Sequence, residues 1–343
     1  MYLKRKVYFI IFAGVKHPLT PWQDHACIEV LKWLWYLLQM LLQKGTLWQQ
    51  IVRVTERALL TGTLHPIATG HEFVADSGIF FSVRILSGLR LKDEAREQQQ
   101  NEAAVTGKQV NPFLPYENDL FVADISDTHA AILNKFNVLE HHLLIITRDF
   151  EDQETLLTLR DFQALWTCMS EYQSLGFYNG GVEAGASQTH KHLQLLPLPL
   201  APSGPRVPIG PLLATVTFDG AYGTVPAFPF LHIFAHIESG IASTADAAEK
   251  TFELYCEMLR RVGMTAPGRE GLQKQSGPYC LIVTRDWMLL VPRSREFFGS
   301  ISINSLGFAG ALLVRNEEEM ERVKKCGPMT VLREVAFPRP KMS

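Results

Sequence analysis

The stretch G-A-S-Q-T-H-K-H-L-Q-L-L-P, residues 185–197, sets two histidines one residue apart and a glutamine at the same interval. The run H-K-H-L-Q-L-L-P predicts a strand over 190–197. On a strand, residues i, i+2 and i+4 face one way. His190, His192 and Gln194 therefore share one face, and Lys191, Leu193 and Leu195 share the other. Three polar side chains in a row on one strand face need partners or a purpose.

Three readings fit such a row. The histidines can be hydrogen-bonded within the core or at its edge. They can share a metal, although zinc needs a third ligand and no cysteine or acidic residue stands at a familiar spacing. Or one of them is a nucleophile: a neutral imidazole is abundant at pH 7, attacks phosphorus well and departs well. The lead-in favours the third. Gly185, Ala186, Ser187, Gln188 and Thr189 combine small side chains with hydroxyl and amide donors, which lets backbone N–H groups approach phosphate oxygens. Asn179, Gly180 and Gly181 suggest a second tight turn just upstream.

Working outward, the 343 residues suffice for one large or two ordinary domains. Hydrophobic residues make up 47% and charged residues 20%, as in a globular protein with a substantial core. The formal charge is −2, so no global basic field argues for nucleic acid or a membrane surface, and an anionic ligand must be held locally. The five cysteines are scattered, without a C-x-x-C, which fits a reducing cytosol better than a disulfide framework. At the N-terminus Lys4, Arg5 and Lys6 precede a short apolar run that superficially resembles a signal peptide, without a small-residue cleavage site. A second apolar stretch at 28–42 carries Glu29, Lys32 and Gln39. Residues 1–40 are read as an extension carrying a packed or docked helix, with Met40 as an alternative natural start.

Periodicity predicts helices over 46–62, 159–175, about 243–262 and near 315–326. Strands are predicted at 78–86, 120–125, 138–147, 279–285 and 287–292. F-Y-N-G-G (177–181) reads as a turn, and the polar stretch 91–108 as a solvated helix or loop. The division expected is a catalytic part over 41–200, a Pro/Gly-rich crossing over 201–228 and a C-terminal part over 229–343, packed as one unit.

Several segments together resemble the ATP adenylyltransferase family, the diadenosine tetraphosphate phosphorylases. These form a branch of the histidine-triad superfamily alongside the galactose-1-phosphate uridylyltransferases. The segments are N-G-G-V-E-A-G-A-S-Q-T-H-K-H-L-Q-L-L-P-L-P-L (179–200), N-P-F-L-P-Y-E-N-D-L-F-V-A-D-I-S-D-T-H (111–129), N-K-F-N-V-L-E-H-H-L-L-I-I-T-R (134–148), T-R-D-W-M-L-L-V-P-R-S (284–294) and S-I-N-S-L-G-F-A-G (302–310). The resemblance covers roughly residues 43–337. It implies an α+β, histidine-triad-like fold, an antiparallel sheet with packed helices. It also implies a two-step transfer among adenine dinucleotide polyphosphates, ATP, ADP and inorganic phosphate, with Mg2+ as nucleotide counter-ion and no tightly bound cofactor. In that scheme His192 attacks the α-phosphorus, His190 orients it, and Gln194 stands where a third histidine is found in other branches. Ser187, Gln188 and Thr189 would cradle the polyphosphate, with Asn179 and Gly185 beside them. Lys92, Asn137 and Arg285 would contact the nucleotide or the anionic product, with a core hydrogen bond or surface salt bridge as the alternative for the last two. Cys280 departs from the pattern, standing where the family carries asparagine. Rival functions are a nucleotide-sugar phosphorylase or a dinucleotide hydrolase on the same fold, and a non-catalytic sensor of dinucleotide polyphosphates.

Overall fold

The computed structural model describes residues 42–339, apart from 88, 90, 95–96, 99–110, 112, 239, 241 and 269–272. The expectations about residues 1–40 and most of the polar stretch after Glu94 lie outside the described residues.

The first hairpin pairs β1 (Ala68–Asp76) with β2 (Ile79–Ser87). Then come β3 (Phe121–Asp124), β4 (His129–Leu133), β5 (Leu143–Thr147), β6 (Ser174–Gly180) and β7 (His192–Pro197). The short strands β8 (Thr217–Asp219) and β9 (Tyr222–Thr224) lead into β10 (Ile233–His236), β11 (Tyr279–Val283) and β12 (Trp287–Pro292). A small hairpin, β13 (Phe297–Phe298) and β14 (Ile301–Ser302), and β15 (Ala311–Val314) complete the strands. The main helices are α1 (Leu47–Leu60), α2 (Leu159–Met169), α3 (Thr244–Arg261), α4 (Glu317–Cys326) and α5 (Pro328–Val335).

Ten strands form one antiparallel sheet in the order β3-β4-β5-β7-β6-β11-β12-β10-β9-β8. The histidine strand β7 thus lies inside it, between β5 and β6. A second sheet, β1-β2-β15, has its last strand parallel to β2. One face of the large sheet carries Leu193, Leu195, Ile145, Tyr178 and Leu281, packed in one core with residues of α1, α2 and α3. The opposite face is covered twice. Phe177 and Ile282 join Phe81 and Val83 of the small sheet in one cluster, while Leu144 and Ile146 join Phe113 in another. Leu144 and Phe177 flank Gln194 from the two neighbouring strands. His192 and Gln194 therefore lie at the seam between these two coverings.

Leu42–Ser343 is one compact unit, so the histidine half and the C-terminal half share the large sheet. Among the described residues no helix is long and apolar enough to cross a membrane.

Three local expectations need correction. The strand expected over 138–147 begins only at Leu143. His141 sits in the left-handed region with φ 57°, which breaks the strand and makes 134–142 a turn. The helix expected to run to 175 stops at Met169, and F-Y-N-G-G is the end of β6 rather than a turn. Gly176 belongs there because a Cβ would lie 2.8 Å from the Leu165 side chain of α2. Strands β1 and β4 and helix α5 were not legible from periodicity.

Candidate active site

The chemistry of β7 starts from its backbone. His192 is 4% exposed, and its Nδ1 donates to the carbonyl of His190 at 2.7 Å. A carbonyl can only accept, so the proton resides on Nδ1 and the lone pair on Nε2. Burial, with the neighbouring His190, pushes the His192 pKa down to about 4 against the pull of that hydrogen bond. The ring is a neutral base at pH 7 with one nitrogen locked and the other available. The Phe113 ring stands edge-on to it, with centroids 5.1 Å apart.

His190 is held differently. Its Nε2 donates to the carbonyl of Thr147 at 2.9 Å, and Nδ1 lies 3.0 Å from the side chain of Asn111. Both nitrogens are committed. Its contribution to His192 runs through its backbone carbonyl rather than its ring.

Gln194 is oriented by His142. Asn134 donates to His142 Nδ1 at 3.3 Å, which leaves the proton on Nε2 to be donated to Gln194 Oε1 at 3.0 Å. Burial depresses the His142 pKa to about 3, with His192 and Lys92 adding to the effect. The carbonyl end of Gln194 is thus engaged, and its NH2 end is open among the described residues. Lys92, exposed on a short helical stretch after β2, is near enough to His142 to act on it electrostatically.

The other expected residues divide. Gly185 has φ 88°, and a Cβ there would lie 2.8 Å from Asn304, so only glycine fits this crossing. Ser187 and Thr189 are exposed and Gln188 half-buried in the loop that enters β7. The Asn179 Oδ1 accepts from the Ser305 N–H at 3.0 Å and its hydroxyl at 2.6 Å, which ties β6 to the helical turn Ser305–Phe308. Asn137 lies in the turn before β5, where Nδ2 donates to the carbonyl of Leu139 at 3.1 Å. Arg285 donates to the carbonyls of Met169 and Tyr172, at the C-terminal end of α2. A guanidinium there satisfies orphan carbonyls and the helix dipole together. Arg293 is fully buried and gives its protons to the carbonyls of Val335, Ala184 and Arg295 and to Cys280 Sγ. Cys280 itself is fully buried, opposite Asn179 on β6.

Lys191, just before β7, is wholly buried on the side opposite His192. Its ammonium donates to Asp161 at 2.8 Å, Glu151 at 3.0 Å and the carbonyl of Leu156 at 3.1 Å. The sequence reading missed three participants: Asn111 and Thr147, which hold His190, and Gln153, which holds the backbone of His192. Among the described residues no cluster of three or more His, Cys, Asp or Glu could hold a metal ion.

A neutral imidazole with a fixed lone pair and a fixed amide donor share one strand face of an α+β fold, and two family matches define the class as nucleotidyltransferase. The Ap4A phosphorylase N-terminal domain matches residues 38–215, and the ATP adenylyltransferase C-terminal domain matches residues 226–338. The chain belongs to the Ap4A phosphorylase family. It is 26% identical over 263 residues to diadenosine 5',5'''-P1,P4-tetraphosphate phosphorylase 2 of Saccharomyces cerevisiae, covering 70% of this chain and 78% of that one. It is 26% identical over 223 residues to the protein APA1 of the same yeast, covering 60% of this chain and 68% of the relative. The fold is similar to the crystal structure of yeast Ap4A phosphorylase Apa2, with a TM-score of 0.70 at 22% identity, over 88% of this chain and 98% of that one. The same yeast protein in complex with Ap4A matches with a TM-score of 0.66 at 20% identity, over 87% of this chain and 100% of that one.

Proposed function

We propose that the protein catalyses reversible phosphorolysis of diadenosine tetraphosphate, Ap4A plus phosphate giving ADP plus ATP, through an adenylyl-His192 intermediate. The observation that carries this reading is the hydrogen bond from His192 Nδ1 to the carbonyl of His190, which leaves the Nε2 lone pair free to attack. Nε2 bonds to the α-phosphorus at one end of the dinucleotide, the P–O bond to the rest breaks, and ATP leaves. The Nδ1–H of the adenylylated ring becomes more acidic and leans harder on the His190 carbonyl. Inorganic phosphate then attacks the same phosphorus, the P–N bond breaks, and ADP departs as the imidazole returns to its neutral state.

Gln194 supplies an amide N–H to an α-phosphate oxygen, with His142 fixing which end of the amide points inward. An amide neither takes nor gives a proton, so it does not activate water, which suits an intermediate that must wait for phosphate. Ser187, Gln188 and Thr189 and the Lys92 ammonium hold the polyphosphate. Mg2+ enters as counter-ion of the polyphosphate. Adenosine 5'-phosphosulfate offers the same α-phosphorus with sulfate as leaving group, and is a second substrate on this scheme. Unpaired thiols at Cys168, Cys256, Cys280 and Cys326 support a reducing, cytoplasmic location.

The test is product analysis with diadenosine tetraphosphate, with and without inorganic phosphate. Phosphate-dependent ADP plus ATP is expected. Phosphate-independent AMP plus ATP would make it a hydrolase, and tight binding without turnover would make it a sensor.

A further inference from the structure

β6 and β7 run as paired strands from Ser174 opposite Pro197 to Phe177 opposite Gln194. They then part, with Asn179 and His192 on the two banks of the gap. The side chain of Gln153, 2% exposed, bridges it. Its Oε1 accepts the backbone N–H of His192 at 2.8 Å. Its Nε2 donates to the carbonyl of Asn179 at 2.9 Å and to that of His192 at 3.4 Å. A carboxamide carries the same donor and acceptor groups as a peptide unit, so it replaces the missing ladder rung without forcing the strands together.

The backbone around Gln153 is anchored on both sides. Its N–H donates to the carbonyl of Thr189 at 2.7 Å, and its own carbonyl accepts the Tyr178 hydroxyl. Lys191 N–H donates to the carbonyl of Glu151 at 2.7 Å. That N–H belongs to the same peptide plane as the His190 carbonyl, the acceptor that locks His192 Nδ1. On the other side Gln275 N–H donates to the carbonyl of Glu154 at 2.8 Å, and its Nε2 takes the next β6 carbonyl, Gly180, at 2.8 Å. The strip 151–154 is a wedge between the start of β7 and the approach to β11.

We infer that Gln153 is the positioning residue of the nucleophile: its side-chain amide splits the sheet at His192 and holds the two peptide planes that flank it, while the strip 151–154 that it anchors holds the His190 carbonyl that sets the imidazole tautomer, so that Nε2 is aimed. This rests on the reading of His192 as nucleophile. The side chain of Gln153 hydrogen-bonds to backbone atoms of Asn179 and His192, so its effect falls on the reaction step rather than on affinity. A nucleophile displaced by a fraction of an ångström loses rate steeply.

The experiment compares Gln153→Met and Gln153→Glu with the parent, after thermal melting has shown the variants folded. In Gln153→Met, kcat for phosphorolysis of diadenosine tetraphosphate is expected to fall about 30- to 100-fold, with KM changed less than threefold. In Gln153→Glu the acceptor for His192 N–H is kept and a negative charge is placed beside the ring, so the acid limb of kcat/KM shifts to higher pH by about one unit. Long-range 15N–1H spectra of the His192 ring read the tautomer directly: Nδ1–H in the parent, a mixture in Gln153→Met. A folded Gln153→Met variant within twofold of the parent in kcat, or one whose loss lies in KM, overturns the inference. So does an unmoved acid limb in Gln153→Glu. Should the parent show no phosphate-dependent turnover, the nucleophile reading fails separately. The tautomer spectra of parent and variants still decide what Gln153 does, and an unchanged tautomer in both variants sinks the idea.

Discussion

The two faces of the segment His190–Gln194 each carry buried polar groups, yet they are finished in different ways. On one face the Lys191 ammonium has three donors and three acceptors, in Asp161, Glu151 and the carbonyl of Leu156. Asp161 is saturated in turn by His129 at 3.1 Å and by the Thr158 N–H and hydroxyl, each at 2.7 Å. Burial alone would raise its pKa, but Lys191 and His129 hold it well below the usual carboxylate range. On the other face each polar side chain of the motif is fixed by a neutral partner at one end, and among the described residues two are left open at the other. His192 Nε2 and Gln194 Nε2 are those ends, and they face the same way. Polarity in a core therefore does not by itself mark function; an unfinished hydrogen-bond valence, held rigidly, does.

The sharpest way to break the comparison is to exchange the consequences of mutation. His192→Ala should reduce kcat about ten-thousand-fold or more, roughly 5 kcal/mol of transition-state stabilisation. Its melting temperature should stay within a few degrees of the parent. Lys191→Met should do the reverse. It leaves the Asp161 carboxylate buried beside His129 without its ammonium, at a cost of about 3–5 kcal/mol in stability. The folded fraction should keep kcat within a few-fold. Adding Asp161→Asn should restore part of that stability, because the orphaned charge is then removed. Urea unfolding of the three proteins decides this, and a Lys191→Met enzyme that is stable but inactive would mean the faces are not separable.

Gln194→Leu tests the open amide. Loss of one donor aimed at developing phosphate charge should lower kcat about 100- to 1,000-fold, with little change in stability. A KM effect alone would assign Gln194 to ground-state binding.

Acid should sharpen the contrast further. Burial lowers the pKa of His142 to about 3 and those of His192 and of His232, a buried residue just before β10, to about 4. The unfolded chain, with histidines near 6.5, binds more protons than the folded one below that pH. Stability is therefore fully present above pH 6.5 and is lost as pH falls through 6.5 towards 4, at about 1.4 kcal/mol per pH unit for each histidine. His192 itself stays neutral over the same window. kcat/KM for diadenosine tetraphosphate, which reports the adenylylation half-reaction, should hold down to about pH 5 in the fraction that remains folded. A midpoint near 6.5 would mean that the ring is solvated rather than buried.

How much of this was legible follows from the range of each interaction. The period of two in H-x-H-x-Q put His192 and Gln194 on one face, because a strand's alternation is local. The resemblance along the chain pointed to the family and the antiparallel α+β fold. What could not be read is contact between distant residues. Nothing in E-D-Q-E announces that Gln153 reaches His192 and Asn179, and nothing in L-E-H-H tells that His142 would pin Gln194. The break before β5 was hidden by an unbroken apolar run after His142. The end of β6 was misread because Gly180, which leaves no room for a Cβ beside Gln275 and Tyr279, looks like a glycine demanded by a turn.

Arg285 is the smallest and most instructive case. At the end of an apolar strand, T-R-D offers a guanidinium that suits an anion as well as it suits a helix end. The geometry places it against the carbonyls of Met169 and Tyr172, where the chain leaves α2. Arg285→Gln should therefore lower stability by about 1–2 kcal/mol, through lost hydrogen bonds to helix-end carbonyls. It should leave KM for phosphate and for the dinucleotide within twofold. A tenfold rise in the phosphate KM with unchanged stability would return Arg285 to the ligand, and would require the end of α2 to be capped some other way.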